Sequence, residues 1–273
     1  MTVWVTGASS GLGLHTARAL REAGHTVIAG ARSFTPGEED GVHRLPLDVT
    51  DEGSIGAFLR AAQAISPRVD ALVHCAGMLV LGSCEETSPE EYLRVLDTNF
   101  LGMVRMNQAA LPLMRAQGQG RIVMFSSING LMGIPFQSAY TASKHAVEGY
   151  GECLAMEVRP FGIQVCLVEP GDHRSGSQRY RLQASAMGVD SPYAADFRRG
   201  TAAIHRDEAH GSDPDILGRK VAALFERRRM PLRRCIASPD QYGAALMHRL
   251  LPGNAFGRVI RRYYLGKLRG KTP

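Results

Sequence analysis

The chain contains no CxxC pair, and its five cysteines, at positions 75, 84, 153, 166 and 235, are scattered and odd in number. Neither a disulfide framework nor a zinc knuckle fits that pattern, so reduced thiols are expected. Nine histidines occur without HExxH or any other ligand spacing. His205, Asp207 and His210 fall close together in what reads as a loop, but no metal is expected. Long apolar runs are also missing: Gly, Pro or a charge interrupts every window before the roughly 20 residues that a membrane span needs. The first apolar run, VWVTG, starts at Val3 with no charged and apolar leader ahead of it, which leads to the expectation of a cytoplasmic protein. Charge excess is small. The net charge of +6 helps attract a polyanionic ligand but does not indicate nucleic acid.

Apolar residues make up 44% of the 273 and charged residues 21%, a globular composition rather than a disordered one. Short β-branched runs, TVWVT, HTVIAGA, HRLPL, DALVHCA, GRIVMFS and IQVCLVE, alternate with helical stretches such as GLHTARALREAG and PEEYLRVLDTNF. Buried parallel strands read as continuous apolar runs and need crossover helices, so the expected architecture is α/β, a doubly wound parallel sheet in a single domain over 1–273. Gly24 closes the first helix, while Ser88 and Pro89 open another in N-cap and N1 order. Pro112 is expected to kink or end its helix. A helix beginning near Ser138 must stop before Pro160. From 172 to 213 the periodicity disappears, and this segment is read as a loop serving as substrate lid. Residues 239–273 form a C-terminal tail.

The run TGASSGLG places Gly7, Ser9, Ser10, Gly11, Leu12 and Gly13 between the first strand and the first helix. Glycines there let backbone amides approach a pyrophosphate at the helix N-terminus. About twenty residues on, where an NAD-selective fold carries an acidic side chain, the chain has GARS. Arg32 offers a planar cation suited to a 2′-phosphate, which favours NADP(H) over NAD. In SAYTASKHAVEG, Tyr140 and Lys144 are four apart and neighbours on one helical face. The ammonium is expected to lower the phenol's pKa from its usual value near 10.

Together TGASSGLG, LDV at 47–49, CAG at 75–77, TNFLG at 98–102, the serines at 126 and 127, Tyr140-x-x-x-Lys144 and EPG at 169–171 resemble the single-domain branch of the short-chain dehydrogenase/reductase family. That resemblance implies a Rossmann fold, and it implies roles for individual residues. Ser127 would hydrogen-bond the substrate oxygen and Tyr140 would act as acid/base. Lys144 would bind the nicotinamide ribose and tune the tyrosine, and Asn99 would hold a water of the proton relay. Asp48, with Val49 beside it, would meet adenine; Ala76 and Gly77 would line the adenosine side. Pro170, Gly171 and Ser175 would lie along the nicotinamide. Cys75 replaces the asparagine usual in the family, so packing at that strand end must differ.

Within the family the sequence looks most like the 17-beta-hydroxysteroid and retinol dehydrogenases. The resemblance implies NADPH-dependent interconversion of a ketone and a secondary alcohol on an apolar substrate (a steroid, retinoid-like, polyketide or lipid molecule) by a homodimer or homotetramer. Its contrast is a non-catalytic NADP-binding sensor or interaction subunit, which would have no chemical reason to keep Ser127, Tyr140 and Lys144 together. Leu131, Met132, Ile134 and Phe136 are candidates for substrate contact or, alternatively, for packing beneath the lid. The tail AFGRVIRRYYLGKLRGKTP mixes Val259, Ile260, Tyr263, Tyr264, Leu265 and Leu268 with six basic residues. It could make peripheral membrane contact, or cover the domain's own surface or a partner subunit.

Overall fold

The computed structural model describes residues 1–266. In chain order the elements are β1 (Thr2–Thr6), α1 (Gly11–Glu22), β2 (Thr26–Ala31), β3 (Gly37–Glu39), β4 (Val42–Pro46), α2 (Glu52–Ile65), β5 (Ala71–His74), β6 (Val80–Leu81), α3 (Pro89–Leu96), α4 (Gly102–Gln117), β7 (Gly120–Phe125), α5 (Ser138–Glu157), β8 (Ile163–Pro170), β9 (Leu182–Gln183), α6 (Ala194–Ala209), α7 (Pro214–Ala222), β10 (Arg233–Ile236), α8 (Pro239–Leu250) and α9 (Gly253–Leu265). Eight strands form one sheet in the order β10-β8-β7-β5-β1-β2-β4-β3. All its pairings are parallel except the short edge strand β3 on β4.

Alternation along each strand divides the core into two layers. Trp4, Ile28, Leu72, Ile122 and Leu167 face α2, α4 and α5, where Phe58, Met106 and Val147 meet them. Val3, Val27, Val73, Val123 and Val168 face α1 and α7 through Leu20 and Leu217. Trp4 stands edge-on to Phe58 with ring centroids 5.6 Å apart. Each such fully buried side chain contributes on the order of 1.5–3 kcal/mol of transfer free energy. Because β2 and β5 lie on opposite sides of β1, the winding reverses there. A crevice opens at the C-terminal ends of these strands.

Two expectations need correcting. Pro112 neither ends nor interrupts α4, which runs on to Gln117. The proline lies on the exposed face, so the Gln108 carbonyl that it leaves without a helical donor can turn to water. The segment 172–213 is not a structureless loop, since it carries a 3₁₀ turn, β9 and the sixteen residues of α6. His205 and Asp207 therefore lie on a helix, with His210 at its C-cap. β9 pairs with β6 beside the main sheet, and Ser185 N–H donates to Glu91 of α3 at 2.8 Å.

α5 carries Tyr140 and Lys144 and is fixed at both ends. Gln137, just before its first turn, accepts from Asn129 Nδ2 at 3.0 Å. Toward its C-terminus Glu148 and Glu152 accept from Arg233 of β10, at 3.0 and 2.5 Å. The tail forms α8 and α9. Phe256 and Ile260 bury themselves against Ile128, Met132 and Ile134, so this part of the tail covers the domain's own surface. Leu268 lies outside the described residues.

Candidate active site

The crevice is a cleft of about 820 Å³. One end is built from the glycine turn after β1. Gly7 has φ +68°, and a Cβ there would lie 2.5 Å from Ala76 Cα. A Cβ on Gly13 would lie 2.3 Å from the Gly7 carbonyl oxygen, whereas Gly11, at φ +55°, has nothing nearer than Ser175 at 3.8 Å. The turn is thus packed tightly from beneath and open above. Side chains cap α2, α3 and α7: Asp51 accepts from Gly53 and Ser54 N–H, Ser88 from Glu91 N–H and Asp213 from Asp215 N–H. Ser10, the N-cap of α1, makes no such bond, and the first turn of α1 holds no acidic side chain. Its orphan amides are left for an anion, as a pyrophosphate requires.

Ser9, Ser10, Leu12, Arg32, Asp48 and Val49 line this end together with the glycines, and Ala76 and Gly77 continue the wall beyond β5. Burial pushes the Asp48 carboxyl up, but the Thr50 backbone and hydroxyl donors and the charge of Arg32 outweigh it and leave the pKa below its ordinary value. Arg32 therefore stands beside an ionised carboxylate at the rim. The opposite wall carries Pro170, Gly171 and Ser175. These groups fit a dinucleotide.

Ser127, Tyr140 and Lys144 lie farther along the same cleft. Ser127 follows β7 and accepts from Asn129 N–H at 3.2 Å. Lys144 is 5% exposed; its Nζ donates to the Phe125 carbonyl at 2.7 Å and lies 5.5 Å from the Tyr140 ring centroid. Burial pushes its pKa down to about 8, opposed by Cys75 and Glu148. Burial likewise raises the Tyr140 phenol, while Ser127 and Arg181 draw it back down. The lowering expected of Tyr140 is not the net outcome: burial leaves the phenol above its ordinary value, and the cation that draws it back is Arg181, while Lys144 gives one of its three donors to Phe125.

The short chain dehydrogenase family matches residues 1–185. The chain belongs to that family. A 3-ketodihydrosphingosine reductase of Bacteroides thetaiotaomicron is 39% identical over 263 residues, covering 96% of this chain and 97% of the relative. Retinol dehydrogenase 8 of Bos taurus is 34% identical over 252 residues, covering 85% of this chain and 80% of its own length. A short-chain dehydrogenase structure from Streptomyces avermitilis superposes with a TM-score of 0.78 at 30% identity, covering 96% of both chains. The protein is a short-chain oxidoreductase of Rossmann-like fold that acts on a ketone or alcohol.

Asn99 of this short-chain dehydrogenase lies behind the cleft wall that Asp97 and Thr98 line. It is fully buried in a π-helical turn, Asp97–Leu101, between α3 and α4. Its Oδ1 accepts from Met78 N–H at 2.7 Å, and its Nδ2 donates to the Met78 carbonyl at 2.9 Å and to Ser143 Oγ at 3.0 Å. These bonds clamp the loop after β5 onto α5. Of the four apolar candidates for substrate contact, only Ile134 lines the cleft. Met132 packs into the cluster with Phe256 and Ile260, and Leu131 is half-buried outside the cleft. Phe136 adopts φ +64° and stands edge-on to Phe197 of α6, centroids 5.3 Å apart. It latches the helix rather than the ligand.

Gln137, Asp172, Tyr180, Arg181 and Glu208, which no sequence motif singled out, also line the cleft, as does Tyr264 of the C-terminal tail. Burial and repulsion from Asp207 push Asp172 up to about 6, against a hydrogen bond from Gln241. No local pattern marks these positions, which come from four separate segments. For the glycine cradle, Gly13→Ala is expected to weaken NAD(P)H binding by at least about tenfold, as backbone must move to admit the methyl. Fluorescence titration beside a far-UV circular dichroism control checks this; unchanged affinity contradicts the cradle.

Proposed function

We propose that this protein is an NADPH-dependent reductase of an apolar ketone, working reversibly on the matching secondary alcohol. The observation that carries the reading is that Ser127, Tyr140 and Lys144 share one cleft with the glycine turn and Arg32. The name of the Bacteroides relative, a ketone reductase acting on a lipid, supports the substrate class. So do Leu79, Ile134, Leu182 and Ile204 in the cleft wall. The segment over 172–213 serves as the lid of this site, and Arg32 receives the 2′-phosphate that separates NADP from NAD.

NADPH, when bound, supplies the hydride. The protein's own part is to hold the carbonyl and move a proton. Ser127 Oγ donates a hydrogen bond to the substrate oxygen and polarises it. Tyr140 keeps its proton at neutral pH because burial holds its pKa up, and gives that proton to the oxygen as charge develops there. Lys144, cationic below about 8, stabilises the phenolate that remains and donates to the ribose hydroxyls.

Tyr140→Phe is expected to lower NADPH-dependent ketone reduction by about a hundredfold to ten-thousandfold, with the NADPH dissociation constant changed less than about threefold. Stopped-flow turnover and fluorescence titration read the two; retained turnover removes the mechanism. Arg32→Asp is expected to reverse the cofactor preference in kcat/KM from NADP toward NAD, by at least about tenfold. An unchanged ratio overturns the cofactor assignment.

A further inference from the structure

α8 is seated on the domain through Gln241, which accepts from the Asp172 backbone N–H at 3.0 Å, and through the buried Ala245. Its large apolar side chains point the other way. Tyr242, Leu246 and Leu250, on successive turns of one face, are 57%, 49% and 73% exposed, and Met247 and Leu251 beside them are exposed as well. A surface helix normally buries its apolar stripe, and exposed apolar side chains grouped in this way mark a contact site. Pro252 is exposed too, so the patch continues onto the connection between α8 and α9.

Charge identifies the occupant. No Asp or Glu follows Asp240 in the sequence, whereas Arg and Lys occur seven times there, enough to account for the whole net charge of +6. Arg249 lies between Leu246 and Leu250, and Arg258 and Arg262 stand one turn apart on α9 with the exposed Val259 between them. All three arginines are exposed and form no ion pair among the described residues, unlike Arg261, which reaches Asp196 at 3.9 Å. A second copy of the chain meeting this face about a two-fold axis would set arginine against arginine. A nucleic-acid backbone would answer the charge and leave Leu246 and Leu250 without a partner. A bilayer with anionic headgroups answers both: its surface takes the guanidinium groups, and the leucine, methionine and tyrosine side chains enter the boundary beneath. No helix among the described residues is long and apolar enough to cross a membrane.

We infer that the outward face of α8, with Arg258 and Arg262 of α9, docks this protein peripherally on anionic lipid bilayers. The surface shares no residue with Ser127, Tyr140 and Lys144, and lipid docking stands whether or not the protein reduces ketones. α9 also lends Tyr264 to the cleft wall, so one helix of the docking pair borders the cleft.

Flotation of the full chain with phosphatidylcholine vesicles, alone or carrying phosphatidylserine, tests this. The wild type should bind the anionic vesicles at least about tenfold more tightly than the neutral ones, and the difference should shrink as salt screens it. Leu246→Gln/Leu250→Gln should weaken that binding at least about tenfold, and Arg249→Ala and Arg258→Ala by about fivefold each. Trp4, the single tryptophan, is fully buried, so the emission of Leu250→Trp should shift to the blue only when anionic vesicles are added. Far-UV circular dichroism and thermal midpoints check the fold; if the double glutamine variant does not fold, the arginine variants and the Leu250→Trp emission decide. A wild type that stays off both vesicle types, or binding unchanged in the folded variants, overturns the proposal. So does a lipid-free wild-type oligomer that Leu246→Gln/Leu250→Gln dissociates, since a second copy then covers the face.

Discussion

The hydrogen bond from the Lys144 ammonium to the Phe125 carbonyl at 2.7 Å ties α5 to the end of β7 beside Tyr140. A cation 95% removed from solvent would normally shed its proton, and burial has brought its pKa to about 8. The carbonyl at the end of β7 helps keep it charged. It also fixes how α5 lies on the sheet, and hence where Tyr140 points. Asn99 works to the same end from the other side, tying Ser143 of α5 to the Met78 backbone. The phenol is thus held in a wall made of three elements.

The parallel sheet explains why so many separate residues meet there. Every strand that matters ends on the same edge, so Gly7 after β1, Ala76 and Gly77 after β5, Ser127 after β7 and Gly171 after β8 all open into one crevice. Helix ends and strand ends supply the nucleotide half almost wholly from backbone. The substrate half is assembled from longer side chains on 172–213 and from Tyr264 of α9. Its polarity is unexpected for an apolar ligand: Arg181, Glu208 and Asp172 stand among Leu79, Leu182 and Ile204.

What could be read before the fold was known follows from range along the chain. The six long parallel strands were legible because burial on both faces leaves continuous apolar runs. Tyr140 and Lys144 were legible because a helix makes residues four apart into neighbours. α6 was not, since AADFRRGTAAIHRDEA buries only Ala194, Gly200, Ala203, Ile204 and Glu208, too small and polar a face to show a stripe. Met132 and Phe136 failed as substrate contacts because an apolar side chain that packs under a helix has the same composition as one that lines a cavity. Arg181 with Glu208, and Arg233 with Glu148, are pairs 27 and 85 residues apart, as their numbers give, and no local pattern couples them. The direction of the Tyr140 shift was equally hidden, because it is set by burial rather than by spacing.

In the proposed mechanism the competence of the cleft depends on a buried, proton-bearing Lys144. The pH dependence of kcat/KM for NADPH in ketone reduction addresses it most directly, because that quantity reports groups of the free enzyme. Lys144 has a lowered pKa, so its charge is present below about 8 and lost as pH rises through it. The expected result is that kcat/KM falls along an alkaline limb with a midpoint near 8 in the wild type, and that this limb is absent from whatever residual activity Lys144→Met retains. A wild-type profile that stays level through that range, in protein still folded, contradicts it.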